Sequence, residues 1–67
     1  MKLHDRVKHP KYGVGTIIYV MFENTKREMY LVEFDVSNSE LHDGLGLTKK
    51  FSGGFYVKSE LEILKGG

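Results

Sequence analysis

Short apolar runs alternate with polar or glycine-rich spacers along the chain, and no stretch keeps a helical period for a useful length. The strongest run is Thr16 to Phe22, TIIYVMF, where β-branched and aromatic residues crowd a segment too short for a typical helix. It predicts a strand. Tyr12-Gly13-Val14-Gly15 precedes it and reads as a tight turn, because glycine accepts positive φ without a steric penalty. A second strand is predicted over Met29 to Phe34, and the polar spacer Glu23 to Arg27 has the length of a hairpin loop. These two strands form the antiparallel centre of a sheet.

Asp5 to His9 reads as a short first strand that Pro10 stops, since proline removes a ladder donor and biases its predecessor to an extended form. Asp35 to Gly54 is polar and glycine-rich, and a loop of that length in a small domain is usually functional or disordered. Phe55-Tyr56-Val57, a turn at Lys58-Ser59-Glu60 and a strand at Leu61 to Leu64 close the chain. Five short strands, one long late loop and one tight turn before the last strand match an all-β, five-stranded SH3-like (Tudor-like) barrel. The expected domain spans 1–67, ordered over about 3–64, with a mobile Lys65-Gly66-Gly67 tail.

The expected core is Val7, Val14, Ile17, Tyr19, Leu31, Val32, Phe34, Tyr56, Val57, Leu61 and Ile63. Both faces of Thr16 to Phe22 are apolar, so its inward register stays open. Whichever of Ile17, Tyr19, Met21 or Ile18, Val20, Phe22 turns outward leaves a hydrophobic surface for a partner. Leu45, Leu47, Phe51 and Phe55 lie in or beside the polar loop. They either fold back as a lid or present a contact surface.

Sixty-seven residues support one core, and the absence of cysteine excludes disulfides and thiolate metal sites as its staples. No apolar run approaches the ~20 residues of a membrane span, and Met1 to Pro10 does not read as a signal peptide, so a cytoplasmic location is expected. The net charge of +1 lacks the basic excess of a general nucleic-acid binder. Its distribution is uneven. Lys2, Arg6, Lys8 and Lys11 cluster early, while Glu33, Asp35, Glu40 and Asp43 cluster later, which suggests one basic and one acidic face or two ordinary solvated patches.

At Arg6 to Ile17 the chain reads RVKHPKYGVGTI. This resembles the start of the Tudor-like domain at the C-terminus of UvrD/PcrA-type helicases and, more loosely, the polymerase-interacting domain of CarD-like regulators. The resemblance implies a five-stranded barrel that binds the β subunit of bacterial RNA polymerase, partly by strand-edge pairing. The later segments YLVEF, LHDG, GFYV and ELEI are more similar to small phage or prophage proteins.

For catalysis a nucleophile beside a base, or two facing carboxylates, is wanted, and the serines at 37, 39, 52 and 59 all fall in polar loops or turns. Gly44 to Lys50 lacks the spacing of a phosphate-binding loop. His4-Asp5, His9 and His42-Asp43 lack the converging spacing of a metal site. The aromatic count suffices for a cation cage, though no order of residues argues for one. The expectation is therefore a non-enzymatic interaction module without metal or cofactor, monomeric or weakly self-associating. Its candidate contacts are His9, Lys11 and Tyr12 in the first turn, Tyr19 and Met21 on the central strand, and Lys26 and Arg27 in the hairpin loop. The alternative is direct nucleic-acid binding, with Tyr12, Tyr19, Tyr30, Phe55 and Tyr56 as stacking rings among lysines and arginines, a layout comparable to KOW segments.

Overall fold

A computed structural model describes residues 1–64. The tail expected to be mobile lies outside the described residues. Five strands, β1 (Arg6–His9), β2 (Gly13–Met21), β3 (Met29–Phe34), β4 (Gly53–Val57) and β5 (Glu62–Ile63), form one antiparallel sheet in the order β4-β3-β2-β1-β5. The chain is all-β, with the layout of a small SH3-like barrel whose edge strands β4 and β5 do not pair with each other. A 3-10 turn at Lys58–Glu60 joins those last two strands.

The central strand begins three residues earlier than the apolar run predicts, because Gly13 to Gly15 already pair with β1. Its two glycines have different reasons. Gly13 has a φ of 85° at the turn, whereas Gly15 lies in the sheet, where a Cβ would come within 2.6 Å of Val32 Cγ1 and 2.7 Å of the Glu33 carbonyl. The first glycine supplies backbone freedom and the second supplies close approach.

A β-bulge at Ile18 resolves the open register of β2. Ile17 pairs with Val32 and Tyr19 with Leu31, so Ile18 has no opposite residue. Alternation restarts one position late. Ile17 before the bulge and Val20 after it both face the core, while Tyr19 and Met21 turn to the outer face. The N-terminal segment satisfies the backbone here: the His4 N–H donates to the Ile17 carbonyl at 2.7 Å, and the Ile17 N–H donates to the Asp5 carbonyl at 2.9 Å.

The core gathers Val7, Ile17, Tyr30, Val32, Phe34, Leu41, Tyr56 and Leu61 on the inner face. Tyr30 and Leu41 join it unforeseen. Tyr19, Val57 and Ile63, expected inside, are instead exposed, and Val14 is half-buried. Leu31 is buried on the outer face, where the long loop folds back over it at Gly44. The loop thus acts as a cover, but not with the leucines expected to do so. Leu45 is 80% exposed and Leu47 also stays in solvent.

The glycine assignments give a stability test. Gly15→Ala is expected to cost about 2 kcal/mol through overpacking, lowering Tm by roughly 10 °C, while Gly13→Asn costs well under about 1 kcal/mol. Thermal unfolding of both variants measures the difference.

Candidate interaction surface

The first turn and the outer face of the sheet hold the candidate residues in two separate groups. Pro10 stops β1, and the His9 Nδ1 behind it accepts the Lys11 N–H at 3.0 Å and the Tyr12 N–H at 3.4 Å, capping the turn. The His9 ring stacks on Tyr12 with centroids 5.0 Å apart and meets Tyr56 at a tilt with centroids 4.6 Å apart, and Tyr12 lies 5.6 Å from Phe34. Four rings therefore converge. They fill one another's space, so the cluster closes a corner of the core rather than framing a cation-sized gap. His9 and Tyr12 are half-buried structural groups here.

Lys11 and the Tyr12 hydroxyl both reach Glu40, the hydroxyl donating at 3.0 Å. The Arg6 guanidinium grips Asp35 through two parallel hydrogen bonds of 2.9 and 2.5 Å. Two members of the early basic cluster thus pair with two of the later acidic cluster across the fold, while among the described residues Lys2, Lys8 and Asp43 form no ion pair. The Arg6 guanidinium holds the Asp35 carboxyl below its usual range, and Lys11 followed by Tyr12 does the same for Glu40.

The second group is on the outer face. Register places Tyr19, Leu31 and Phe55 in one row across β2, β3 and β4, and Met21, Met29 and Val57 in the next. Tyr19 is 51% exposed, and Phe22 at the end of β2 is also in solvent. Phe22 holds a φ of 53°, and Leu45 and Phe51 in the long loop hold 60° and 58°. Bulky side chains are strained in that region, and all three project into solvent where they gain little packing in return. Lys26 and Arg27 lie in the β2–β3 hairpin, next to the Met21–Met29 pair. The structure therefore brings Tyr19, Met21, Lys26 and Arg27 to one region, and leaves His9, Lys11 and Tyr12 apart from it.

Sequence reasoning missed the half-buried Met29 and the exposed Val57 as members of this face, because their pairing with Met21 on the outer side follows from the bulge in β2. It also missed His42, whose Nδ1 accepts the Gly44 N–H at 2.8 Å and whose ring stacks on Phe55 at 5.5 Å. Of the five rings suited to base stacking, Tyr30 and Tyr56 are buried, Phe55 lies against His42 and Tyr12 is tied to Glu40. Tyr19 alone is exposed.

The sheet edges are blunted. Gly53 exchanges both backbone hydrogen bonds with His42, at 3.0 and 2.8 Å, and the Val57 N–H donates to Glu60 Oε1 at 3.0 Å. In an antiparallel ladder alternate residues face outward, which leaves Phe55 as the β4 residue with a free outward N–H among the described residues. β5 at the other edge is two residues long. Short, capped edges offer little for strand addition, whereas Tyr19 and Val57 on the outer face stay exposed.

No group of three or more His, Asp or Glu side chains able to hold a metal occurs among the described residues. No described helix is long and apolar enough to cross a membrane. No family model matches the chain, and neither a curated protein nor a solved structure matches it.

Burial pushes Tyr30 and Tyr56 up to about 12, and the Tyr30 hydroxyl holds Glu28 below its usual range. A raised tyrosine contributes stability that is full below its unfolded value and is lost as pH rises through its folded value. Lowered carboxylates contribute stability that is lost as pH falls through theirs. The urea midpoint is expected to hold between about pH 6 and 9 and fall on both sides. Tyr56→Phe flattens the alkaline limb, and the Asp35→Asn, Glu40→Gln double variant flattens the acid limb, both read by urea unfolding across pH.

Proposed function

We propose that the chain is a non-enzymatic protein-interaction module that docks through the side chains on the outer face of β2, β3 and β4. The supporting observation is the outward apolar group of Tyr19 and Val57, both exposed, with the half-buried Met21 and Met29 beside them, on a sheet whose edges are blunted. Contiguous apolar surface on a small domain marks an interaction site, and exposed aromatic and methionine side chains supply adaptable contact area at low entropic cost. Strain at Phe22, Leu45 and Phe51 adds to this reading, since strained backbone that presents a bulky side chain to solvent costs stability without a packing return.

The resemblance of Arg6 to Ile17 to polymerase-binding Tudor-like and CarD-like domains makes the β subunit of bacterial RNA polymerase the first partner to test, in a bacterial or phage cytoplasmic setting. Docking then uses side chains of the face in place of an open strand edge.

Capture from bacterial lysate with the tagged protein, with and without nuclease, tests the reading. A single protein retained after nuclease is expected. The Tyr19→Ser, Met21→Ser double variant should fold at a cost of about 1 kcal/mol and lose that protein by at least about tenfold. Retention that vanishes with nuclease, or that the double variant leaves intact, contradicts it.

A further inference from the structure

We infer that this outer face takes a protein segment with an apolar centre flanked by Asp or Glu residues; the inference rests on the docking reading above and specifies the partner's chemistry. The chain carries nearly balanced charge, yet its two signs are used differently. Six of the nine carboxylates are occupied by internal donors: Asp5 by the Lys2 N–H, Glu28 by Asn24 and Tyr30, Glu33 by the Lys49 N–H, Asp35 by Arg6, Glu40 by Tyr12 and Lys11, and Glu60 by the Val57 N–H. Among the described residues, only Arg6 and Lys11 of the cations are ion-paired. The charged groups still open to a partner are mainly ammonium and guanidinium groups.

Those cations bracket the apolar face. At the hairpin end, Lys26 and Lys58 line one concavity of about 450 Å³ with Val57, and the Glu28 carboxylate in its wall is already bonded to the Asn24 N–H at 2.8 Å and to the Tyr30 hydroxyl. At the other end, Glu33 shares the face of Leu31 and Met29 but accepts the Lys49 N–H at 3.0 Å, which holds the Lys49 backbone against it. Lys50 lines a second concavity with His42, Phe51 and Asp43, which sets one carboxylate beside the ammonium there, and His42 stacks on Phe55 of the same face. An apolar centre with a cationic rim at both ends complements a segment of the reverse charge pattern. Rim charges of this kind steer encounter and reject partners of the wrong sign.

Fluorescence anisotropy on the full chain tests this with three labelled probes: a peptide of four apolar residues between pairs of aspartates, the same residues between pairs of lysines, and an oligothymidylate. The aspartate probe is expected to bind with an affinity that falls as salt rises, and the other two to bind at least about tenfold more weakly. The Lys26→Glu, Lys58→Glu double variant should weaken the aspartate probe about tenfold, whereas Lys8→Glu, on β1 opposite Glu62, leaves it unchanged. Equal binding of the two peptides, indifference to the Lys26 and Lys58 reversal, or tighter binding of the oligothymidylate overturns the inference. Its failure is separable from failure of the docking reading. If Tyr19→Ser, Met21→Ser abolishes lysate capture while the probes show no charge preference, only the partner chemistry is wrong; if capture survives that variant, the face itself is wrong.

Discussion

The extra residue at Ile18 lets β2 place Ile17 and Val20, three positions apart, against one core. An unbroken strand of this sequence would send every second side chain inward, and Val20 would leave the core on which it packs. The bulge divides the apolar run differently: its two core members straddle the interruption, and Tyr19 and Met21 pass to the far side. The local backbone it frees is bonded by His4 and Asp5, so the first residues of the chain are part of the same device. Surface composition on three strands follows from this, because the cross-strand partners of the outward residues, Leu31, Met29, Phe55 and Val57, share their face.

That face has to be protected somewhere and is left open elsewhere. The long loop covers Leu31 at its centre by close approach of Gly44, where a Cβ would come within 3.1 Å of Leu31 Cδ1 and 2.8 Å of Thr48 Cγ2. It is held down by polar contacts more than by apolar burial: Asp35 to Arg6, Glu40 to Tyr12 and Lys11, Glu33 to the Lys49 N–H, and the His42 bridge to Gly53. Leu41 is its one buried large apolar side chain. Carboxylates committed to this fastening already have donors, whereas most of the lysines and arginines among the described residues have no ion-pair partner.

The strands were legible because β-branched runs between polar spacers leave few alternatives at this chain length. The register of β2 was not, since TIIYVMF is apolar on both faces and a bulge has no signature in such a run. Tyr19 was therefore assigned both to the core and to the contact surface, and the structure takes it out of the core and places it, exposed, on the outer face. The charge clusters were visible, but their pairing needed the fold, which brings the residue before Val7 next to the residue after Phe34. The capping role of His9 was not visible either, because the Nδ1 lone pair that fits a ligand also fits two backbone N–H groups in the turn that follows.

Tyrosine nitration followed by mass mapping tests the division between inner and outer faces most directly, performed on the free protein and at saturating aspartate-flanked peptide. Tyr19 is expected to react fastest in the free protein and to become protected by the peptide, with Tyr30 and Tyr56 unreactive in both states. A Tyr19 that is slow in the free protein, or one whose rate the peptide leaves unchanged while Tyr12 becomes protected, would contradict the assignment of the outer face as the contact surface.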